Sequence, residues 1–447
     1  MSNTPLFEAL CRYQDTNPAR FHMPGHKGKG VLADSFGEMV SLDVTELPET
    51  DSLFEAEGVI WEAERLAAAF YGTRHTLFSA GGSTLCIQAM LQLAIPMGGK
   101  LIAGRNIHRA AVNAFALLDT DPIWVMPTQT YPSFFSKRIP PQEIKRALMD
   151  NPDASGVYIT TPDYYGVMSD LPAISAICRE YHVPLLVDNA HGAHLILLQN
   201  GILHPSKCGA DIVSESPHKT LPVLTGGAFL HLCTEQYRME DAKSAMSLFG
   251  SSSPSYLIMA SLDIARDWMQ TQGEVELQKL VQKVQSLSNI ANACGFGILE
   301  GTLVDPARLS IQTSKKGLSG TVAAKILAES GVIAEFADEN SVVCIPTPMN
   351  SKEDFDRLQK GILSLVGQTS EGKREEEILP LQKILTPRQA FFEKHETVSI
   401  EQAVGRISAQ LISKCPPGIP QIIPGERINE DSLRNIANKR IKVVKEL

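Results

Sequence analysis

The sequence predicts an α/β fold built around a mainly parallel sheet. Seven short apolar segments between residues 76 and 232 have the length of buried strands, and helical patterns separate several of them. Strands that alternate with helices are typical of parallel sheets covered on both faces. The 447 residues, 43% of them hydrophobic and 20% charged, are enough for two or three domains with a large core.

The elements follow one another in a regular order along the first 260 residues. Residues 1–55 are rich in Gly, Pro and charge and lack periodicity, so we expect an arm and irregular loops there. A helix is predicted at 57–70, where apolar residues recur on one side, and another at 171–181. The predicted strands are 76–79, 100–103, 123–126, 156–160, 185–188, 211–214 and 228–232.

The second half of the chain has a different pattern. A long helical stretch at 256–294 leads to a strand, helix, strand and helix at 308–313, 320–330, 341–345 and 352–365, which is the pattern of a small α+β domain. Residues 370–377 are charged and apolar-poor, as in a linker, and helices are predicted at 399–412 and at the end of the chain. The predicted domains are 1–55, 56–260, 261–369 and 370–447: an N-terminal arm with an acidic loop, a large domain, a small domain and a C-terminal domain.

Composition excludes several classes of function. The net charge is −9 without a dense basic stripe, which argues against nucleic acid as a partner. No apolar run reaches the length of a membrane span, and no signal peptide is visible. The eight cysteines are scattered without a C-x-x-C pair, so we predict reduced thiols and no metal site. We expect a soluble, cytoplasmic protein.

Two residues indicate the chemistry. Lys219 ends the segment Ser216-Pro217-His218-Lys219, directly after a predicted strand, and Asp188 ends the apolar run 183–188. Most lysines and aspartates are solvated, but a carboxylate that ends an apolar run is costly unless it is paired. A lysine amine can form a Schiff base with pyridoxal 5′-phosphate (PLP), and a carboxylate can keep its ring nitrogen protonated. The pair therefore favours a PLP site.

A phosphate site is predicted where strand 76–79 gives way to a helix. Gly82, Ser83 and Thr84 would place backbone N–H groups and two hydroxyls at that helix N-terminus. The same turn is also an ordinary helix cap, so it is weak evidence alone. Ser216 and His218 could add further phosphate ligands.

Three more residues could complete the cofactor site. His108 follows a strand and could stack on the pyridine ring, although an exposed loop histidine is an equal alternative. His191 could bond the phenolic oxygen of the ring or the Asp188 carboxylate, and Ala190 is small enough to pack under the ring. His194 has no assigned role, and a surface position is expected for it.

These residues closely resemble the Orn/Lys/Arg decarboxylase family of fold-type-I (aspartate-aminotransferase-like) PLP enzymes. The resemblance implies decarboxylation of lysine, arginine or ornithine to the amine and CO₂ through a Lys219 Schiff base. It implies Lys219, His108, Asp188 and His191 as catalytic residues, a role in polyamine biosynthesis, and a homodimer with shared active sites. The segments that carry it are 20–28, 43–53, 162–166, 216–219, 401–408 and 416–426.

The chain departs from the family pattern at three positions. Pro217 stands where Thr is usual, Gly81 where a polar residue is common, and Cys415 where a tyrosine often precedes the double proline. The first two spare the essential groups, whereas the third could alter the substrate pocket or the subunit contact. We also expect a short form without the N-terminal wing of larger members, which makes a dimer the simpler assembly.

Substrate and reaction type leave alternatives open. The distal cation of a basic amino acid needs an acidic partner, and Glu46, Asp51 and Glu335 are the candidates. The sequence does not decide between lysine, arginine and ornithine. Arg308 could instead clamp an α-carboxylate, as in an aminotransferase or a carbon–carbon ligase of the same fold. A catalytically silent regulator that retains the PLP fold is a further alternative.

Overall fold

The structure is a computed structural model that describes residues 3–128, 138–370, 380–413, 419–434, 436 and 439–445. The chain divides into two compact units. The first comprises Met1–Leu93, Leu186–Leu280 and Thr347–Met349, and the second Ala94–Leu185, Val281–Pro346 and Asn350–Leu447. This division groups the residues that pack together. It does not test the predicted domain boundaries, which stay a prediction.

Residues 3–94 contain four α-helices, a 3₁₀ helix at Gly37–Leu42 and the first strand. The expectation of an arm without regular structure at 1–55 is wrong in part, because two α-helices and the 3₁₀ helix lie there. The first of them buries Leu6 and Leu10 completely, an apolar stripe that the neighbouring polar residues mask in the sequence. The elements are α1 (Pro5–Asp15), α2 (Val31–Phe36), α3 (Val59–Tyr71), β1 (His75–Ser79) and α4 (Gly82–Ala94).

A seven-stranded sheet forms the centre of the fold. Its order is β1-β7-β6-β5-β4-β2-β3, in which β7 runs antiparallel to both neighbours while β5–β6, β2–β4 and β2–β3 are parallel. The predicted mainly parallel sheet is confirmed, and each strand begins and ends within two residues of its predicted bounds. The elements are β2 (Lys100–Gly104), α5 (Arg109–Leu118), β3 (Asp121–Val125), α6 (Pro141–Asp150), β4 (Ala154–Thr160), α7 (Leu171–Glu180), β5 (Leu185–Asp188), β6 (Ile212–Glu215) and β7 (Ala228–Leu232).

Helices and a small antiparallel sheet follow. The predicted stretch 256–294 is helical up to Ala293, with one π-helical turn at Met269–Gly273 between two α-helices. The small sheet has the order β10-β11-β9-β8 and confirms the α+β prediction for this region. The elements are α8 (Met239–Ser247), α9 (Tyr256–Trp268), α10 (Glu274–Ala293), β8 (Gly297–Ile298), β9 (Leu309–Gln312), α11 (Gly320–Glu329), β10 (Phe336–Ala337), β11 (Ser341–Cys344) and α12 (Lys352–Ser364).

The C-terminal region is built mostly from strands. The predicted helix at 399–412 is wrong, because only four residues there are helical and Gly405 follows with a φ of 83°. The predicted final helix is also wrong: the last strand alternates buried and exposed residues and pairs antiparallel with residues 395–399. The elements are α13 (Pro387–Phe392), β12 (His395–Ser399), α14 (Ile400–Ala403), β13 (Ile412–Ser413), β14 (Pro420–Ile422) and β15 (Arg440–Val444).

The apolar core lies along the strands. In β5, β6 and β7 every residue is buried, and most of these residues are apolar, as expected of strands covered on both faces. The C-terminal region has its own small core, formed by Ala403, Ile412, Ile422, Ile428, Ile441 and Val443. None of the helices in the described ranges has the length and apolar character that crossing a membrane requires.

Candidate active site

Lys219 lies at the end of a single 3₁₀ turn, Pro217–Lys219, that follows β6 directly. Its Nζ is 3.1 Å from Nε2 of His191, whose side chain is buried. Pro217 occupies the first position of the turn, where a missing N–H costs nothing, so this departure from the family pattern fits the local backbone. The structure thus brings together the predicted amine and one of the predicted imidazoles.

Asp188 is the last residue of β5 and is 1% exposed. It pairs in parallel register with Ser214 of β6, so it lies at the same carboxyl edge from which the Lys219 turn begins. Its Oδ1 accepts a hydrogen bond from the backbone N–H of Ala190 at 3.1 Å. Ala190 and His191 are buried in the loop that follows, and their roles beside the cofactor stay predictions.

The predicted phosphate turn begins the 13-residue helix α4. Gly82 has a φ of 66°, and its N–H donates to the carbonyl of Gly226 at 2.8 Å, which fixes the turn beside the loop before β7. Ser214 of β6 donates to the carbonyl of Ser83, while Thr84 is exposed. The first turn of a helix of this length favours an anion through its free N–H groups and its dipole.

Ser216 and His218 precede the lysine closely, and their side chains differ in hydrogen bonding. Ser216 is 1% exposed, and its Oγ has no hydrogen-bond partner among the described residues, which is costly unless a ligand supplies one. His218 donates from Nδ1 to the carbonyl of Gly227 at 2.9 Å, and burial lowers its pKa. A neutral ring in this tautomer has no N–H left for a phosphate, so only Ser216 suits that predicted role.

His108 lies in the second unit, at the N-terminus of α5. Its Nδ1 accepts a hydrogen bond from the N–H of Ala110 at 3.2 Å, so the side chain caps the helix. When the ring is neutral, this contact places its proton on Nε2 and fixes the plane of the ring. His108 is therefore held in one orientation by the helix that it begins.

The acidic residues predicted to bind a substrate cation differ in their surroundings. The carboxylate of Asp51 accepts hydrogen bonds from five backbone N–H groups, including those of Gly58 at 2.8 Å and Ile60 at 3.1 Å. It thus holds the N-terminus of α3, and these contacts favour a structural role over binding of a substrate cation. Glu46 is half-buried and accepts from the Thr45 hydroxyl at 2.5 Å.

Glu335 and Arg308 both lie in the second unit. Glu335 is exposed and accepts a hydrogen bond from the hydroxyl of Tyr164. The Arg308 side chain is 1% exposed, and its Nε lies 3.6 Å from the Asp305 carboxylate. Its Cβ and Cγ would lie 2.9 Å from a Cβ added at Gly166, so the Gly166 backbone packs closely against the aliphatic part of the side chain. The role of Arg308 as an α-carboxylate clamp stays a prediction.

Sequence reasoning missed a buried polar cluster directly before the lysine turn. We call it the Glu215 cluster: Glu215, His204, His231 and Asn189, each 0% exposed. The Glu215 carboxylate is 2.9 Å from His204 Nε2, 3.1 Å from His231 Nε2 and 3.0 Å from Asn189 Nδ2. The signal that could have revealed it is a glutamate at the end of a buried strand. The surface position expected for His194 is also wrong, because this residue is 2% exposed.

Two imidazoles and a carboxylate within 4.8 Å of one another could in principle hold a metal ion. The hydrogen bonds favour protons instead. Nδ1 of His204 accepts from the N–H of Ser206 at 3.3 Å, which leaves the ring proton on Nε2 and directs it at Glu215. The Thr76 hydroxyl lies 2.8 Å from Nδ1 of His231 and can donate to it, which is compatible with the same tautomer there. A metal-bound Nε2 would require a proton on Nδ1 in both rings.

Comparison with known proteins identifies the family. The sequence profile described as "Orn/Lys/Arg decarboxylase, major domain" matches residues 4–296, and the profile of the C-terminal domain of the same family matches residues 377–438. The chain belongs to the Orn/Lys/Arg decarboxylase family. The resemblance found in the sequence motifs is thereby confirmed.

Relatives in this family match nearly the whole chain. An uncharacterized protein of Bacillus subtilis, YaaO, is 34% identical over 97% of this chain and 94% of its own length. The arginine decarboxylase of the same organism is 33% identical over 97% of this chain and 93% of its own. The crystal structure of a Francisella novicida lysine decarboxylase has a TM-score of 0.85 at 20% identity, covering 99% of this chain and 81% of that one. The fold is therefore that of fold-type-I PLP decarboxylases.

Cys415, which stands where the family often has a tyrosine, lies outside the described residues, so the effect of this departure stays a prediction.

Proposed function

We propose that this protein is a PLP-dependent decarboxylase that converts a basic amino acid to its amine and CO₂. The observation that carries the proposal is the amine of Lys219, 3.1 Å from His191 and at the same sheet edge as the buried Asp188, in a chain of this family. Relatives about one-third identical are named arginine decarboxylase, so arginine is the first substrate to test. Family membership favours neither the aminotransferase nor the silent regulator.

The residues present suit PLP. The unpartnered, buried Oγ of Ser216 and the first turn of α4 would hold the phosphate, with Ser83 and Thr84 opening that helix. Lys219 would hold the aldehyde carbon covalently. The carboxylate of Asp188, nearly excluded from water, would pair with the protonated ring nitrogen.

Further residues would act on the two faces and the edge of the ring. The orientation of His108 at the start of α5 supports a role in stacking on one face and excluding water from it. Ala190 leaves room on the opposite face. When bound, PLP supplies an electron sink for the electron pair that the departing carboxylate leaves behind.

His191 would accept the proton of the Lys219 amine and later return it. The amine must be neutral to attack a carbonyl carbon, and Nε2 of His191 at 3.1 Å is close enough to take its proton. The same pair can later return a proton from Lys219 Nζ to the carbon that has lost CO₂. His191 also lies one residue beyond Ala190, in the loop that Asp188 begins, so its ring could instead contact the phenolic oxygen.

For the distal cation of the substrate, Glu335 and Glu46 remain candidates. Glu335 is exposed, which allows its carboxylate to meet a ligand, and its contact with the Tyr164 hydroxyl orients it. Charge reversal at either position should raise KM for arginine more than it lowers kcat, because a distal ion pair contributes mainly to ground-state binding.

We also infer a homodimer. Large apolar side chains are exposed within residues 21–39, which is more apolar surface than a single soluble chain usually leaves in one segment. Their exposed fractions are 96% for Phe21, 83% for Val31, 67% for Phe36 and 64% for Met23. A second copy of the chain would cover them. Sedimentation of Val31→Ser should then show monomer where the wild-type protein shows dimer, and a monomeric wild type would refute the dimer.

A direct test uses Lys219→Ala with Lys279→Ala as its control, since Lys279 pairs with Glu276 on the surface of α10. Wild type and control should take up PLP with a visible absorption band that borohydride fixes to the chain, and should release CO₂ from arginine, lysine or ornithine. Lys219→Ala should do neither. A band that survives in Lys219→Ala would refute the lysine assignment, and a band without CO₂ from any of the three substrates would refute the decarboxylase assignment.

A further inference from the structure

Arg105 joins the strand before His108 to the C-terminal region. It follows β2 directly, and its backbone N–H donates to the carbonyl of Val125 in β3 at 2.9 Å. Its side chain is 6% exposed and donates to the carbonyls of Pro420 at 2.7 Å and Gln421 at 3.2 Å. The buried Arg105 guanidinium therefore binds the β14 segment, while the Arg105 backbone is hydrogen-bonded to the sheet.

Glu426 provides the charge that this guanidinium needs. Its Oε2 lies 3.1 Å from Nη2 of Arg105 and also accepts from the N–H of Ile423 at 2.8 Å. Burial raises the pKa of Glu426, and Arg105 opposes that shift. The preceding Gly425 has a φ of 96°, and a Cβ there would lie 2.2 Å from the carbonyl oxygen of Leu385, so the turn that presents Glu426 requires glycine.

The C-terminal region also contacts the C-terminal end of α5, the helix that His108 caps at its N-terminus. Arg388 of α13 donates to the carbonyls of Ala116 at 3.2 Å and Leu117 at 2.9 Å, in the last turn of α5. These carbonyls have no partner within the helix, so a cation is favourable there. The C-terminal region thus contacts α5 just before its N-terminus and at its C-terminus.

We propose that Arg105 and Glu426 are positioning residues that hold His108 in place for the cofactor. Only Asn106 and Ile107 separate Arg105 from His108, and the backbone between them has little freedom when the guanidinium is fixed at three acceptors. The C-terminal region would then serve the reaction without touching substrate. This inference rests on the proposed function, because it uses the proposed stacking role of His108.

The test compares Glu426→Gln and Arg105→Lys with Glu396→Gln in the full-length protein. Glu396 makes an ion pair of 2.8 Å with Arg406 in the same region, with half-exposed side chains, and so provides a matched control. Lysine keeps the charge of Arg105 but not the planar fork that reaches three acceptors. Each of the two test variants should lower kcat by about tenfold with little change in KM, since small displacements of a positioned group reduce the rate in this range. The control should behave as wild type.

A double-mutant cycle with His108→Ala separates positioning from stability. The readouts are the dissociation constant of PLP from the apoprotein and the circular dichroism of the bound cofactor. If Glu426 acts through His108, Glu426→Gln should change neither readout further in the His108→Ala background. Additive effects, or a lowered Tm with unchanged kcat and cofactor dichroism, would overturn the proposal. Should Glu426→Gln fail to fold, Arg105→Lys decides in the same cycle. If wild type binds PLP but releases no CO₂, the proposed function fails, and the two binding readouts still test the positioning.

Discussion

Replacing Glu215 with glutamine should strongly destabilise the protein. The carboxylate receives N–H donors from His204 at 2.9 Å and Asn189 at 3.0 Å, and it lies 3.1 Å from Nε2 of His231, all without exposure to water. A hydrogen bond to a charged acceptor contributes about 1 kcal/mol more than one to a neutral amide, so the two bonds that glutamine retains weaken by about 2 kcal/mol together. The new amide N–H₂ would face Nε2 of His231 in place of a carboxylate oxygen, which adds about 2 kcal/mol. The expected loss is about 4 kcal/mol.

The pH dependence of stability follows from the same cluster. Burial alone would raise the pKa of Glu215, but the charge and hydrogen bonds of His231 and His204 outweigh it and hold that pKa below its ordinary value of 4.5. Burial lowers the pKa of His204 from 6.5, against the opposing effect of Glu215. In both cases the unfolded state binds more protons, so stability falls as pH falls, first below about 6.5 and then below about 4.5. The glutamine variant should lose the second of these steps.

Urea unfolding at several pH values measures both effects. Glu235→Gln is the control, because Glu235 forms an exposed ion pair with Arg74 and its removal should leave the midpoint unchanged. A loss below about 1 kcal/mol for Glu215→Gln at neutral pH would refute the reasoning, since it would mean that the cluster does not need a charged acceptor.

Three further predictions follow from single contacts. Asp51→Ala should cost about 1–2 kcal/mol in urea unfolding by removing the acceptor for the N-terminus of α3, with KM unchanged; a raised KM without a loss of stability would restore its substrate role. Gly425→Ala should lower the free energy of unfolding by more than about 3 kcal/mol, because its Cβ would meet the carbonyl of Leu385. Gly405→Ala, at a similar φ but with open space around the new Cβ, should lower it by about 1–2 kcal/mol. Equal losses for the two variants would contradict this steric account. Incubation with a chelator should leave the Tm of the wild type unchanged, and a fall would show that the Glu215 cluster holds a metal rather than protons.

Local sequence is a reliable guide where burial is uniform. The predicted strands 185–188 and 228–232 match the structure to the residue, because strands buried on both faces require continuous apolar runs. Local sequence fails in the C-terminal region, where residues 399–412 favour a helix locally but end it after Ala403. The last strand escapes prediction for a related reason: its alternation becomes a strand only through pairing with residues 395–399, which lie far away in sequence.

The sequence by itself determined the α/β class and the family, and it predicted the residues with the chemistry of a PLP site, because these depend on short runs and motifs. Lys219, Asp188 and His191 all stand within such motifs, so their residue types and spacing are enough to indicate them. Only the tertiary structure decided which polar groups are already engaged: Asp51 holds the N-terminus of a helix, and Glu215 lies against two buried imidazoles. A carboxylate or guanidinium has the same identity in sequence whether it is available or engaged, and long-range packing alone determines its partners.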